Sequence, residues 1–430
     1  MSWRTVPLRQ VVEIASGFAF PREFQGRDDQ AIPFLKVSDM NLVGNSREIR
    51  EWTNTISRET AAFLRARTFP PSAVIFPKIG AAIATNKKRV LVQESLVDNN
   101  VMAMIPGPQL HPMFLYYWSL LLDLGEIANV GPVPSIRKSE LGEVKIPLPP
   151  PSEQRRITDI LSRADELRLK RREADAKAER ILLALFYQMF GDPSTNPKRW
   201  PITRVGAVLL DTRNGLYKPL RFYGSGTPIL KMFNIKDGWL ELTRVDRIAL
   251  DPEEQSAYAL EPGDILLNRV NTKELVGKCA VITEALGEAV FESKNIRVRV
   301  NRNLAEPEFV AFYLNTPVGH RLLCQGVKHA IGMATINNSD LADAPLLLPP
   351  LELQRHWANS IHGTGRVRSL SAQSREVIHR LFQVLLHRGF SGELTEQWRE
   401  AHTKELVLEM EQQTRDLGRD GDEIRGDLQL

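Results

Sequence analysis

The 430-residue chain contains one pattern twice, with the copies 195 to 200 residues apart. LPPPSEQR at 148–155 matches LPPLELQR at 348–355, and IPFLK at 32–36 matches TPILK at 227–231. Shorter matches at 112–116 and 135–141 keep the same order in the second copy, so chance similarity is a poor explanation. This period is too long for a solenoid repeat of roughly 20–50 residues. It predicts two tandem copies of one module, each a globular part followed by a helix.

The globular part of each copy is predicted to be a mixed α/β domain. Residues 1–147 and 198–347 contain short β-rich runs separated by Gly, Pro and Asn, which is typical of strands and turns. A helix is expected over 112–124 and another over 307–323, because each segment begins with proline, which suits a first helical turn. The predicted fold class is α/β, with two tandem α/β domains separated by two long helices.

These patterns divide the chain into five predicted segments. The first domain covers 1–150, a long helix covers 151–191, the second domain covers 192–350, and a second long helix covers 351–398. An acidic tail follows at 399–430. We expect this tail to be helical as far as about Thr414 and disordered afterwards, because apolar residues become sparse there.

The first long helix is strongly indicated, because Ser152 is a good N-cap and the residues after it are good helix formers. Its 39 residues from 152 to 190 would extend roughly 60 Å. A seam of apolar residues at coiled-coil spacing predicts that the two helices pack on each other antiparallel. The alternative is two amphipathic helices that each pack on their own domain. The predicted seam consists of Ile157, Ile160, Leu167, Ile181 and Leu185 in the first helix and Val367, Leu370, Val377 and Leu381 in the second.

The charge distribution favours a polyanionic partner. The net charge is +4 and the isoelectric point is near 9.0, but residues 400–430 hold nine acidic and four basic residues, so residues 1–399 carry 52 basic against 43 acidic residues. A basic body of +9 binds phosphates favourably, since counterions are released. Arg and Lys suit guanine edges and phosphates, whereas Asn suits adenine. The candidate DNA-binding residues are Lys78, Asn86, Lys87, Lys88, Arg89, Arg137, Lys138, Lys218, Asn268, Arg269, Asn271, Lys273, Lys294 and Lys328.

Motifs at the helix boundaries resemble those of type I restriction-modification specificity subunits. LPPPSEQRRI at 148–157 looks like the entry to that family's central helix, and FYQMFGDPSTNPKRWP at 186–201 looks like the junction that follows it. GFSGELT at 389–395 is similar to the end of the distal helix. The resemblance spans residues 1 to about 398. The acidic tail and the poorer apolar seam of the second helix, which contains Gly363 and Gly365, depart from it.

The resemblance implies that each globular part is a target recognition domain for one half of a bipartite, asymmetric DNA sequence. The helices would fix the spacer between the half-sites and bind two methyltransferase subunits. Those partners methylate adenine N6, and two ATP-driven restriction subunits complete the complex. S-adenosylmethionine, ATP and Mg are accordingly expected on partner subunits, and no cofactor is expected on this chain. Since the two copies differ in their loops, the two half-sites should differ as well.

Motifs of other functions are absent from the sequence. It contains no G-x-x-x-x-G-K-[ST] motif for nucleotide binding, no zinc-ligand spacing among its two cysteines and eight histidines, and no Asn-Pro-Pro-Tyr-type motif. No apolar run is long enough for a membrane span, and no secretory signal is recognisable, so a cytoplasmic, non-catalytic subunit with no membrane partner is expected. Two alternatives remain open: a specificity subunit whose partner fuses methyltransferase and nuclease, and a coiled-coil scaffold with two modules for ligands other than DNA.

Overall fold

A computed structural model describes residues 3–283, 286–325, 328–330 and 332–426. The chain divides into two compact units. Unit 1 consists of residues 1–173 and 373–430, and unit 2 consists of residues 174–372. Two long helices contribute one part to each unit, since the unit boundaries fall within them. The mixture of helix and sheet confirms the predicted fold class at that level.

Unit 1 contains ten strands among its described residues, mostly short. The strands are β1 (Arg4–Pro7), β2 (Val12–Ser16), β3 (Ile32–Leu35), β4 (Glu48–Ile49), β5 (Thr55–Ile56), β6 (Val74–Pro77), β7 (Arg89–Leu91), β8 (Leu96–Val97), β9 (Val101–Pro106) and β10 (Lys145–Leu148). The α-helices up to the first long helix are α1 (Arg58–Phe63), α2 (Pro112–Ser119), α3 (Leu124–Ile127), α4 (Lys138–Glu143) and α5 (Pro151–Phe190).

A five-stranded sheet with the order β2-β9-β6-β7-β4 forms the centre of unit 1. Its neighbouring strands are antiparallel except for β4 and β7, which run parallel. A smaller sheet has the order β5-β3-β8, and β1 pairs with β10. The pairing of β1 with β10 brings the start of the module to the residues just before α5.

Unit 2 contains the remaining strands and the second long helix begins in it. Its strands are β11 (Ile202–Arg204), β12 (Leu209–Asn214), β13 (Tyr223–Leu230), β14 (Ile235–Lys236), β15 (Trp239–Leu240), β16 (Asp246–Ile248), β17 (Ile265–Asn268), β18 (Val270–Asn271), β19 (Cys279–Val281), β20 (Val290–Phe291), β21 (Asn295–Val300), β22 (Lys328–Ala330), β23 (Met333–Thr335) and β24 (Pro345–Leu347). Its helices are α6 (Pro252–Ala257), α7 (Pro307–Asn315), α8 (Pro317–Leu323), α9 (Asn338–Asp343) and α10 (Leu351–Ser391).

The sheets of unit 2 repeat the plan of unit 1. Strands β12-β21-β17-β19 form an antiparallel sheet, β16-β13-β20 form a smaller one, and β11 pairs with β24 as β1 pairs with β10. The helices expected over 112–124 and 307–323 are each split in two. The first ends at Ser119, and the second is interrupted before Pro317, because proline cannot donate the next helical hydrogen bond.

The repeated glutamine explains physically why the LPP-containing motif occurs twice. Gln154 and Gln354 lie in the first turns of α5 and α10 and are fully buried. The Gln154 amide accepts a hydrogen bond from the His111 backbone at 2.7 Å and donates to the Pro149 carbonyl at 2.9 Å. Gln354 donates to Pro349 and accepts from the Glu306 backbone in the same way. Each glutamine therefore ties the start of a long helix to its own globular part.

The predicted apolar seam is wrong for most of its positions. Ile157 is buried and Ile160 is half-buried. The other seven side chains are 43–66% exposed: Leu167, Ile181, Leu185, Val367, Leu370, Val377 and Leu381. The helices instead bury the large aromatic side chains of the adjacent positions, Phe186 in unit 2 and Phe382 in unit 1. An aromatic ring removes more apolar area from water than an aliphatic seam residue does.

Contacts between the two long helices are partly polar within each unit. In unit 2, the Ser371 hydroxyl donates to Asp175 at 2.6 Å, and Arg368 lies 3.9 Å from Glu179. In unit 1, the Arg168 guanidinium lies over the Phe382 ring at 4.2 Å. Ile157 lies next to Gly389 in unit 1, so in both units the residue numbers of one helix rise as those of the other fall, and the paired parts run antiparallel.

The C-terminal segment is helical further along the chain than the sequence predicted. After α11 (Glu396–Ala401), helix α12 runs over Thr403–Gly426, beyond the expected end at Thr414. Its Glu409 carboxylate accepts hydrogen bonds from the backbone and hydroxyl of Ser152, at 2.9 and 2.8 Å. Ser152, predicted as the N-cap, thus lies in the first turn of α5, and the carboxylate stabilises the positive end of that helix.

Candidate nucleic-acid interface

The candidate cations of unit 1 differ in how far they reach solvent. Arg137 and Lys138 are exposed at the start of α4, where Arg137 also lies 3.7 Å from Glu140. Lys78 is half-buried, and its ammonium donates to the Ser16 hydroxyl at 3.0 Å. Of this group, Arg137 and Lys138 are therefore the best placed to meet a phosphate.

Lys88 is directed into unit 1 and does not reach solvent. It is 1% exposed, and its ammonium donates to the Asn86 side-chain oxygen and to the Leu122 carbonyl, both at 2.6 Å. Burial lowers the pKa of Lys88 to about 8, although the nearby Asp123 carboxylate acts in the opposite direction. The prediction that Lys88 contacts DNA is wrong, and Asn86 is likewise occupied by contacts within unit 1.

Lys87 and Arg89, the candidates on either side of Lys88, also have partners inside unit 1. The Lys87 ammonium donates to the Asn41 side-chain oxygen. The Arg89 guanidinium donates to the carbonyl oxygens of Lys88 at 2.8 Å and of Met40 at 3.1 Å. Burial lowers the pKa of Arg89, since its contacts are carbonyls and not carboxylates. These bonds fix the loop before β7 and leave little of the Arg89 side chain for DNA.

Two candidate asparagines of unit 2 form a buried network. Asn268 is fully buried and Asn271 is 8% exposed. Asn271 donates to the Asn268 side-chain oxygen at 2.8 Å, and Asn268 donates to the Lys294 carbonyl at 3.0 Å and to Asn295 at 3.2 Å. The prediction that these two amides read adenine is wrong, because their polar atoms hold together the ends of β17, β18 and β21.

The other candidates of unit 2 lie around that network. Lys273 and Lys294 are exposed, and Arg269 is half-buried with its backbone donating to the Lys294 carbonyl at 2.8 Å. Lys328 lies in β22, and its side chain is outside the described part of the structure. Unit 2 therefore presents Lys273 and Lys294 to solvent from loops that the buried asparagines position.

Both units contain an equivalent loop, of which the sequence analysis named only Lys218. GFAFPREF at 17–24 and GLYKPLRF at 215–222 share the pattern Gly-apolar-x-x-Pro-x-x-Phe, 198 residues apart. In each, a short 3-10 helix, Arg22–Phe24 or Leu220–Phe222, follows the proline. The shared pattern of the two loops lies within the repeat, just before IPFLK and TPILK, so it can be recognised from the sequence.

The repeated glycine fixes both loops in the same way. A side-chain carbon at Gly17 would lie 2.1 Å from the Asp98 carbonyl oxygen, and one at Gly215 would lie 2.1 Å from the Glu292 carbonyl oxygen. The next residue forms an isolated parallel bridge to the same partner in each unit. Only glycine allows this approach of two backbone segments, so both loops leave their sheets at the same point.

No feature of the described residues indicates catalysis by a metal or a reactive thiol. Among them, no group of three or more His, Cys, Asp or Glu residues could hold a metal ion. Both cysteines are free, and burial raises the pKa of Cys279 to about 12, which disfavours the nucleophilic thiolate. A search of the described helices for one long and apolar enough to cross a bilayer found none.

Comparison with known proteins agrees with the boundary motifs. The family model for the type I restriction modification DNA specificity domain matches residues 1–179. The type I restriction enzyme StySPI specificity subunit of Salmonella potsdam is 26% identical over 433 residues, covering 94% of this chain and 92% of the relative. The EcoKI specificity subunit of Escherichia coli K12 is also 26% identical, covering 68% of this chain and 66% of the relative.

A solved structure shows a shared fold over most of the chain. The type I restriction-modification S subunit from M. genitalium has a TM-score of 0.51 and covers 91% of this chain and 96% of its own, at 13% identity. The duplicated pattern, the boundary motifs and the full-length relatives lead to one conclusion. Residues 1–179 match the DNA specificity domain of type I restriction-modification systems, and the chain is similar over most of its length to type I specificity subunits, as the resemblance in its sequence indicated.

Proposed function

We propose that this chain reads a bipartite, asymmetric DNA sequence, with each globular part acting as a target recognition domain for one half-site. The observation that carries this proposal is that two units share one frame but present different side chains on it. The shared frame includes the buried glutamines, the close approaches at Gly17 and Gly215, and in each unit a central sheet, a three-stranded sheet and the pairing of the first strand with the last. Two domains with the same backbone frame can bind DNA in the same way, and different side chains in their loops can contact different bases.

The long helices are proposed to set the distance between the half-sites. Helix α5 has 40 residues and α10 has 41, so each is about 60 Å long. Half-sites one helical turn apart require readers separated by about 34 Å, which is within that length. Antiparallel packing of the two helices as one spacer is part of this proposal.

The exposed apolar side chains of the same helices are proposed to bind methyltransferase subunits, two of them by family resemblance. Val367, Leu370 and Val377 are 62–66% exposed on α10, and Ile181 is 59% exposed on α5. Such side chains lose unfavourable contact with water when a partner covers them. Restriction subunits would join through that complex. S-adenosylmethionine, ATP and Mg would be bound by the partners, and this chain would supply specificity without catalysis.

Reconstitution with its methyltransferase partner tests the proposal directly. The purified chain alone should not methylate DNA, and the complex should methylate adenine in one split motif, mapped by sequencing of modified bases. DNA binding should weaken steeply with salt, because phosphate contacts release counterions. Methylation by the chain alone would contradict the assignment, and binding without salt dependence would favour a scaffold for other ligands.

A paired insertion tests the spacer role. Seven residues inserted after Glu173 in α5 and seven after Ala372 in α10 would lengthen both helices by about 10 Å, or about three base pairs. We expect the spacer of the methylated motif to lengthen while both half-site sequences stay the same. Altered half-sites would show that reading and spacing are not separate.

A further inference from the structure

The repeated loop presents different side chains at equivalent positions in the two units. Ala19 in unit 1 corresponds to Tyr217 in unit 2, and Arg22 corresponds to Leu220. All four side chains are exposed, and Tyr217 and Leu220 are 82% and 85% exposed. A tyrosine and a leucine exposed to this extent on neighbouring turns cost free energy in water, which a bound partner would remove.

The residues between these positions hold the loop tips in place. In unit 1, Phe20 stacks on Phe34 with ring centroids 3.7 Å apart. In unit 2, the Lys218 ammonium bonds to Glu254 at 2.5 Å and lies over the Phe222 ring at 4.7 Å. These anchors restrain the loop backbone, so the exposed side chains are presented from a fixed support and lose little conformational freedom on binding.

Lys218 therefore has a different role from the one expected for it. The sequence suggested that it contacts DNA, but its charge is paired with a carboxylate inside unit 2. The positive charge next to the tip comes instead from Arg221, which is exposed and lies 5.1 Å from the Phe222 ring centre. The unit 2 tip thus combines an aromatic ring, an apolar side chain and a guanidinium.

We infer that this loop determines half-site specificity, with Tyr217 and Leu220 contacting base edges in one half-site and Arg22 contacting them in the other. This inference rests on the proposed function and names residues for it. Both tips carry a guanidinium, which suits the O6 and N7 atoms of guanine, but the unit 2 tip adds an exposed tyrosine ring and an apolar side chain that suits the thymine methyl group. Two domains that recognise different DNA sequences require a common backbone frame with different exposed side chains on its loops.

The test uses the full chain assembled with its methyltransferase partner and DNA carrying every single-base change in the mapped motif. Tyr217→Ala/Leu220→Ala should reduce discrimination at one or more bases of one half-site by about tenfold, the scale of a lost base contact. Arg22→Ala should do the same in the other half-site only. Ile202→Ala removes another exposed apolar side chain of unit 2, 69% exposed on β11, and should leave both half-sites unchanged.

A gain of specificity gives a second measurement. Ala19→Tyr/Arg22→Leu/Glu23→Arg gives unit 1 the three exposed tip residues of unit 2 and should change the preferred bases in the Arg22 half-site alone. Unchanged discrimination in all loop variants would overturn the inference, as would equal loss on every sequence or loss of partner binding. If the unaltered complex shows no sequence preference, the proposed function fails instead. Thermal unfolding midpoints close to that of the unaltered chain would show that the variants fold.

Discussion

The two units anchor their long helices by one shared device and one different device. The buried glutamine at the helix start is the same in both. At the preceding position, unit 1 has Glu153 and unit 2 has Leu353. Glu153 is fully buried and accepts hydrogen bonds from the Trp3 indole at 2.9 Å, the Thr395 hydroxyl at 2.6 Å and the Arg399 guanidinium at 2.8 Å.

Unit 2 surrounds the start of α10 with aromatic side chains. Trp357 is 1% exposed, and its ring lies 4.8 Å from Phe312 and 5.3 Å from Phe186, at steep angles. The difference shows that the repeat determines how a helix is tied to its own module. The residues that differ between the two copies determine what covers the helix start, an ion pair in unit 1 and apolar packing in unit 2.

The largest expected effect comes from replacing Glu153 of unit 1 by leucine, the residue at the equivalent position of unit 2. Glu153→Leu leaves the Arg399 guanidinium, 13% exposed, without its carboxylate. Breaking a buried ion pair on one side costs about 3–5 kcal/mol. We expect unit 1 to lose about that much stability, measured by hydrogen exchange of its core peptides, while exchange in the core of unit 2 changes little.

The double variant Glu153→Leu/Arg399→Met is the matched control. It removes the unpaired charge as well, so it should recover at least half of the lost stability. If the double variant is as unstable as the single one, the packing of Glu153 matters more than its charge, and the contrast between the units would be wrong.

A smaller effect is expected when the shared glutamine is replaced in either unit. Gln154→Leu leaves the His111 N–H without its acceptor, and Gln354→Leu does the same for Glu306. Each should cost about 1–3 kcal/mol, because the backbone N–H loses the side-chain oxygen that accepts its hydrogen bond. Hydrogen exchange should show each loss mainly in the unit that carries the variant. Equal loss in both units would mean that the two cores unfold together.

The remaining expected effect concerns the pH dependence of the stability of unit 1. Lys88 keeps its proton to about pH 10 when unfolded but loses it near pH 8 in the folded unit. Between these values the unfolded chain binds more protons, so the free energy of unfolding should rise by about 1 kcal/mol per pH unit. Urea denaturation from pH 7 to 10 measures this rise. Lys88→Met should make the rise smaller without weakening DNA binding, and a slope equal to that of the unaltered chain would exclude Lys88 as a source.

The repeat made much of the fold predictable from the sequence. Equivalent prolines indicated where α2 and α7 begin, and the LPP-containing motif indicated the starts of α5 and α10. The burial of Asn268 and Lys88 was not predictable, because a polar residue in a loop has the same sequence signal whether it bonds inward or faces solvent. The exposed seam was not predictable either, since heptad spacing does not tell which helix face meets a large aromatic core.

The contact between Glu153 and Arg399 also has a consequence for the order of folding. Unit 2 is one continuous stretch, 174–372, whereas unit 1 needs Phe382, Leu386 and Arg399 to complete its core and neutralise its buried carboxylate. A ribosome releases the chain from its first residue onward, and domains fold as their residues emerge. The second unit can therefore finish folding on the nascent chain while the first, although synthesised earlier, must wait for the last part of the chain.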